Sequence, residues 1–173
     1  MNISNYDKAM DCALRILAFK MRTEKELVTR LAKKGYEPEI TLEVVERLKD
    51  MGYINDSAYA EAFVRSKVRR TGSLGLRYEL TDKGVDKDLV RTVVEVNYPP
   101  DQELAAALEL AEKIWRQCSE CVPRNWQNLA PQELYYKKIT KTARKLLSRG
   151  FSSTIVHTVM QKVAPECTEI VIS

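Results

Sequence analysis

Catalytic side-chain pairings are missing from this sequence. It contains a single histidine, His157, and no serine or cysteine is spaced with a base and a carboxylate as a nucleophile requires. The glycine-containing stretch 72–75 lacks the lysine and the hydroxyl of a phosphate-binding loop, and we interpret it as a connector. The sequence therefore predicts a protein that is not an enzyme and uses no cofactor.

Long apolar runs and strand-like alternation are missing as well. No run approaches the roughly 20 apolar residues that cross a bilayer, and the first residues lack the basic and apolar blocks of a secretory signal. No segment alternates between apolar and polar residues with period two, so strands are not expected. We expect an all-α, monomeric, cytoplasmic protein that does not contact a membrane.

Cysteine is scarce, and its placement does not form a metal site. Cys118 and Cys121 are the only close pair, and a zinc site would need a second pair or a paired histidine. A redox dithiol is typical of alternating α/β sequences, which this chain does not resemble. We expect no bound metal and interpret the thiols as incidental.

Acidic residues are absent from two stretches in which basic residues accumulate. Residues 64–78 carry five basic side chains and residues 134–165 carry seven, although the net charge of the chain is only +4. Such clusters indicate a polyanion or an acidic protein surface as partner, and a solvated helix face is the alternative. Aromatic residues accompany the second stretch: Tyr135 and Tyr136 precede two lysines, Trp115 continues an apolar helical stripe, and Trp126 is open to either a core or a base-stacking role.

A motif repeats around Gly35, Gly84 and Gly150. Each glycine follows a leucine by four residues and precedes an apolar residue by one, and further apolar residues recur with helical spacing. This pattern predicts a helix, a left-handed glycine that ends it, and a second helix. Thr23 and Glu26 have the spacing of a capping box at the start of one such helix.

Adding a first helix to each motif gives three tandem three-helix repeats. Their predicted bounds are 5–53, 54–98 and 99–165, and the third repeat carries an insertion around 118–136. We interpret the insertion as an extended first helix and a loop, with helix resuming near Pro131. In the second repeat we expect the middle helix to begin at about Leu76, after the connector.

Several segments together are similar to the RecX family, the regulators of the bacterial RecA recombinase. They lie at 13–18, 26–35, 48–64, 72–85 and 145–151, and the block at 72–85 is the most specific of them. The resemblance implies three tandem three-helix units in an elongated, curved, basic molecule. It also implies binding in the groove of the RecA–single-stranded-DNA filament and inhibition of the recombinase. We expect the partners to be the RecA filament and single-stranded DNA, with duplex DNA bound only weakly.

The resemblance and the charge clusters together suggest the contact residues. We expect the basic side chains of the second repeat to make the central contacts and those of the third repeat to make the outer ones. The predicted residues are Arg65, Lys67, Arg69, Arg70, Arg77, Lys83, Lys137, Lys138, Lys141 and Arg144.

An alternative interpretation is a sequence-specific transcription regulator of the winged-helix class. Residues 26–54 have the pattern of its two helices, but a wing would require a β-hairpin after Ile54. The residues that follow, beginning with Asn55 and Asp56, have instead the pattern of a capped helix.

Overall fold

The computed structural model describes residues 4–120 and 126–164, and these are entirely helical apart from turns and loops. The array of helical repeats predicted from the sequence is confirmed as an all-α fold. Among the described residues, no helix is both long enough and apolar enough to span a membrane. The helices are α1 (Asn5–Phe19), α2 (Glu24–Lys33), α3 (Pro38–Asp50), α4 (Asp56–Lys67), α5 (Ser73–Asp82), α6 (Lys87–Asn97), α7 (Pro100–Glu120), α8 (Pro131–Ser148) and α9 (Ser153–Val163).

These bounds correct one prediction about local structure and exclude one alternative interpretation. Helix α5 begins at Ser73 rather than at Leu76, so Gly75 lies inside a helix and not in a connector. Helix α4 begins at Asp56, where the winged-helix interpretation requires a β-hairpin, so that interpretation is wrong. The helices on either side of the insertion agree with the interpretation given above: α7 extends to Glu120 and α8 begins at Pro131.

The helices divide between two compact units. Unit 1 consists of the described parts of Met1–Phe63 and Arg77–Val93, and unit 2 of those of Val64–Leu76 and Val94–Ser173. Unit 1 contains the bundle α1–α3 with a buried apolar core, and unit 2 contains the bundle α7–α9 with another. The unit boundaries fall within α4, α5 and α6, and the repeat bounds proposed from the sequence stay a prediction.

The repeated glycines end their helices as predicted. Gly35, Gly84 and Gly150 have φ values of 86°, 89° and 76°, in the left-handed region that a side chain disfavours. The amide that follows each of them donates to the carbonyl of the leucine five residues earlier. This hydrogen bond satisfies a carbonyl that the end of the helix leaves without an intrahelical partner.

In unit 1, the start of α2 contacts the turn between α5 and α6. The hydroxyl of Thr23, fully buried, accepts a hydrogen bond from the amide of Glu26 (3.1 Å) and donates one to the carbonyl of Lys83 (2.6 Å). The ammonium of Lys25 donates to the carbonyl of Asp82 (3.2 Å). Thr23 therefore caps α2, as predicted, and also binds the end of α5.

The carboxylate of Glu26 completes this junction through an ion pair that replaces the predicted second half of the capping box. It lies 2.8 Å from the ammonium of Lys83 and 3.5 Å from the guanidinium of Arg22. Partial burial acts to raise the pKa of Glu26, but Lys83 and Arg22 bring that pKa below its ordinary value of 4.5. The hydrogen bond from Lys83 to Glu26 in turn raises the pKa of the lysine.

Neutralising the carboxylate of Glu26 should make the free energy of unfolding less dependent on pH. A carboxyl group with a lowered folded-state pKa stabilises the fold above its unfolded-state pKa, and this stabilisation is lost as the pH falls through the folded-state value. We expect Glu26→Gln to unfold at lower urea concentration than wild type at pH 7, with the difference shrinking as the pH falls below 4.5.

Urea titrations between pH 7 and pH 3 measure this difference. Glu43→Gln, which removes an exposed carboxylate on α3, is the matched control and should follow the wild type throughout. A difference between Glu26→Gln and wild type that stays constant down to pH 3 would contradict the assigned ion pair.

In unit 2, a contact of the same kind joins the start of α5 to the turn between α8 and α9. The amide of Gly72 donates to the carbonyl of Arg149 (2.9 Å), and the amide of Gly75 donates to the carbonyl of Gly150 (3.2 Å). A Cβ on Gly150 would overlap the backbone nitrogen and Cα of Gly75. Two glycines thus allow a helix start and a helix end to touch through their backbones.

Candidate nucleic-acid interface

Helix α8 has one buried face and one basic face. Ile139, Ala143 and Leu146 are buried and belong to the apolar core of unit 2. The opposite face carries exposed cations at spacings of three, four and eight residues, which place side chains on one side of a helix. These cations are Lys137, Lys141, Arg144 and Lys145.

The basic face borders an open groove of about 830 Å³, which we call the α8 groove. Its remaining walls come from α7 and from the segment between α7 and α8. Among the described residues that line it, four carry positive charge and none carries a carboxylate. The lining residues are Ile114, Gln117, Trp126, Tyr136, Lys137, Thr140, Lys141, Arg144, Lys145 and Ser148.

Two aromatic rings lie in the α8 groove beside these cations. The ammonium of Lys141 lies 5.2 Å from the centroid of the Trp126 ring, within the range of a cation–π contact. Tyr136 is 40% exposed, so much of its ring is available to a ligand. The groove therefore presents positive charge and flat aromatic surface together, which is the combination that single-stranded nucleic acid requires.

The neighbouring aromatic residues have a structural role. Trp115 packs edge-to-face on Tyr135 with 5.6 Å between ring centroids, and both contact the core of unit 2. The packing of Trp115 against this core agrees with its place in an apolar helical stripe. Lys138 lies on this side of α8, where its ammonium donates to the hydroxyl of Ser119 (3.1 Å) and lies 5.9 Å from the Trp115 ring. Lys138 thus differs from the other three predicted contacts of α8, because its charge serves the packing of α7 on α8.

The predicted residues of the second repeat lie in different settings. Arg69 and Arg70 are exposed in the turn that follows α4, within unit 2. Arg65, Lys67 and Arg77 each take part in an interaction within the protein. Lys83, in unit 1, is held by its ion pair with Glu26. Among the predicted contacts of this repeat, Arg69 and Arg70 are therefore the best placed to meet a partner.

Lys145 and Trp126 line the α8 groove but were not among the predicted contacts. Lys145 follows Lys141 by four residues, so helical periodicity alone could have included it. Trp126 could not be placed from the sequence, since its position depends on the path of the chain between α7 and α8. The predicted cysteine pair is only half described: Cys118 is buried, and Cys121 lies outside the described residues.

Within residues 4–120 and 126–164, no group of three or more histidine, cysteine, aspartate or glutamate side chains could hold a metal ion. The α8 groove presents cations and aromatic rings, and these suit binding of an anion.

Comparison with protein families matches two parts of the chain. Residues 9–48 match the family described as RecX, first three-helix domain, and residues 55–94 match RecX, second three-helix domain. A "Regulatory protein RecX" from Finegoldia magna is 33% identical over 164 residues, which cover 92% of this chain and 73% of that protein. Another, from Caldanaerobacter subterraneus subsp. tengcongensis, is 35% identical over 114 residues, which cover 65% of this chain and 58% of that protein.

Solved structures give the same result. The crystal structure of RecX from Lactobacillus salivarius superposes with a TM-score of 0.73 at 27% identity, covering 92% of this chain and 96% of that one. A second, described as regulatory protein RecX, has a TM-score of 0.76 at 23% identity and supports the fold alone. Together with the repeated helix–glycine–helix motif and the family matches, these similarities show that the chain belongs to the RecX family of regulatory proteins.

Proposed function

We propose that this protein binds the filament that the RecA recombinase forms on single-stranded DNA and inhibits the activities of that filament. The activities affected are ATP hydrolysis, strand exchange and co-protease function. The protein acts in this proposal as a cytoplasmic monomer, without a cofactor or a metal. Membership of the RecX family makes a regulatory role the starting point, and the distribution of charge suggests the partner.

The observation that carries the proposal is the exposed basic face of α8. Its cations line a groove without a carboxylate, so no internal ion pair in the described part of that groove competes with an external anion. A nucleoprotein filament offers a long row of phosphates together with acidic protein surface, and clustered cations attract both.

Arg69 and Arg70 provide a second basic site on the same chain. They are exposed in a turn, whereas the α8 cations project from a helix. A filament repeats its surface along its axis, so two sites on one chain can be occupied together. Linked contacts of this kind raise the effective concentration of the second site once the first is bound.

Reversing the charges of Arg69 and Arg70 should weaken inhibition. We expect Arg69→Glu combined with Arg70→Glu to raise the protein concentration that halves ATP hydrolysis by about tenfold, since two exposed ion pairs and their reversal are together worth about 1.4 kcal/mol. Helix content and melting temperature should not change, because both side chains lie in solvent. A recombinase ATPase assay on single-stranded DNA measures the effect.

The control variant is Lys33→Glu combined with Lys34→Glu. These adjacent lysines are also exposed, and their reversal likewise brings the net charge from +4 to zero. The control should inhibit as the wild type does. Equal loss in both variants would mean that overall charge matters and that Arg69 and Arg70 form no contact site.

A further inference from the structure

The α8 groove exists because of the insertion that distinguishes the third repeat. Trp126 and Tyr136 both lie within the predicted insertion at 118–136, and the wall opposite α8 comes from Ile114 and Gln117 near the end of the extended α7. The middle helices α2 and α5 have only 10 residues each, against 18 in α8. The added length therefore supplies the first turns of α8 as well as the aromatic rings.

The basic stripe has no counterpart in the second repeat. Lys141 and Arg144 lie nine and six residues before Gly150, and the equivalent residues before Gly84 are Gly75 and Tyr78. The repeated helical framework itself therefore does not require these cations, since α5 forms without them. Their accumulation in an open groove without a carboxylate among its described lining residues suits an anionic ligand.

The chemistry of the groove distinguishes among the possible anions. Cations alone would suffice for an acidic peptide, but here the exposed Tyr136 and the half-buried Trp126 share the groove with them. Aromatic rings bind bases by stacking, which requires bases that are not already stacked in a duplex. The cations from Lys137 to Lys145 extend over about 12 Å of helix axis, longer than one nucleotide step of a strand.

We propose that the α8 groove binds single-stranded DNA directly, with bases stacked on Trp126 and Tyr136 and phosphates on the cations of α8. The proposal rests on the function proposed above and deepens it. It assigns the contact with DNA to the α8 groove, whose aromatic rings come from the insertion of the third repeat, and leaves other basic residues, such as Arg69 and Arg70, for the recombinase. The contact does not require the recombinase to be present.

Fluorescence anisotropy of a labelled oligothymidylate of about 15 nucleotides, without recombinase, tests this site. We expect Trp126→Ala to weaken binding about tenfold and Trp126→Phe to bind nearly as the wild type does, since a ring remains for stacking. An abasic strand of equal length should bind the wild type more weakly than oligothymidylate does. Trp126→Ala should discriminate less between the two strands, because Tyr136 alone remains for stacking.

Salt dependence tests the phosphate contacts separately. The slope is that of log affinity against log salt concentration. Each phosphate contact on a single strand contributes about 0.7 to its magnitude, so Lys141→Ala combined with Arg144→Ala should lower that magnitude by about 1.4. Lys113→Ala, which removes an exposed cation of α7 outside the groove, should leave that slope nearly unchanged. Circular dichroism of each variant verifies that the helices form.

The inference is overturned if Trp126→Ala and the double alanine variant bind oligothymidylate as the wild type does, or if the wild type binds abasic and normal strands equally. Those results would not contradict the proposed inhibition of the recombinase, because the assay contains no recombinase. Conversely, loss of oligothymidylate binding in the variants supports the groove even if the wild type fails to inhibit the recombinase.

Discussion

Replacing Gly150 by alanine is expected to lower the free energy of unfolding by about 3 kcal/mol or more. A left-handed backbone costs a residue with a side chain about 1–2 kcal/mol, and Gly150 has φ = 76°. In addition, the new Cβ would overlap the backbone of Gly75, and overpacking of this kind costs about 1–3 kcal/mol. Backbone atoms cannot rotate away as a flexible side chain can, so α5 and the turn after α8 would have to separate.

Gly35→Ala is the matched control for this substitution. Gly35 has a similar φ of 86°, but a Cβ there would meet no atom within 4 Å. Only the left-handed backbone is then penalised, so we expect a loss of about 1 kcal/mol. Urea unfolding of the two variants measures the difference. Equal losses would contradict the close backbone contact between Gly75 and Gly150.

Reversing two charges on α8 is expected to raise the concentration for half-inhibition of the recombinase by about 30-fold. Lys141→Glu combined with Arg144→Glu removes two contacts that attract the filament. It also introduces two carboxylates that repel the filament, beside Lys137 and Lys145. At roughly 0.5 kcal/mol for each exposed contact, the sum is about 2 kcal/mol. The effect should exceed that of reversing Arg69 and Arg70, because the α8 cations are concentrated in one groove.

The same ATPase assay measures this variant, and Lys33→Glu with Lys34→Glu again controls for net charge. The lost contacts are ionic, so the difference between variant and wild type should narrow as the salt concentration rises. If the α8 variant reaches half-inhibition at the same concentration as the wild type, the basic face of α8 is not part of the proposed interface.

Helical periodicity and the glycine positions were sufficient to predict the array of helices. Gly35, Gly84 and Gly150 each end a helix in the left-handed conformation because the requirement is local: the last carbonyls of the helix need donors. The extended α7 and the restart at Pro131 followed from the length of the insertion. Local rules therefore determine most of the helix boundaries.

Contacts between distant segments could not be predicted in this way. The stretch from Gly72 to Gly75 has the composition of a loop, and only the approach of Gly150 explains why glycine is needed at the start of a helix. Lys83 has the charge of a contact residue, but Glu26, which is 57 residues away, holds it in an ion pair. Lys138 and Lys141 are only three residues apart, yet one packs against Trp115 and the other borders the α8 groove.

The most direct test of the proposed function is the rate of ATP hydrolysis by RecA on single-stranded DNA, titrated with the wild-type protein. The proposal predicts that the rate falls progressively as the protein is added, and that the Lys33/Lys34 control inhibits equally well. A rate that stays constant over the whole titration, with the protein folded and in excess over the recombinase, would contradict the proposal.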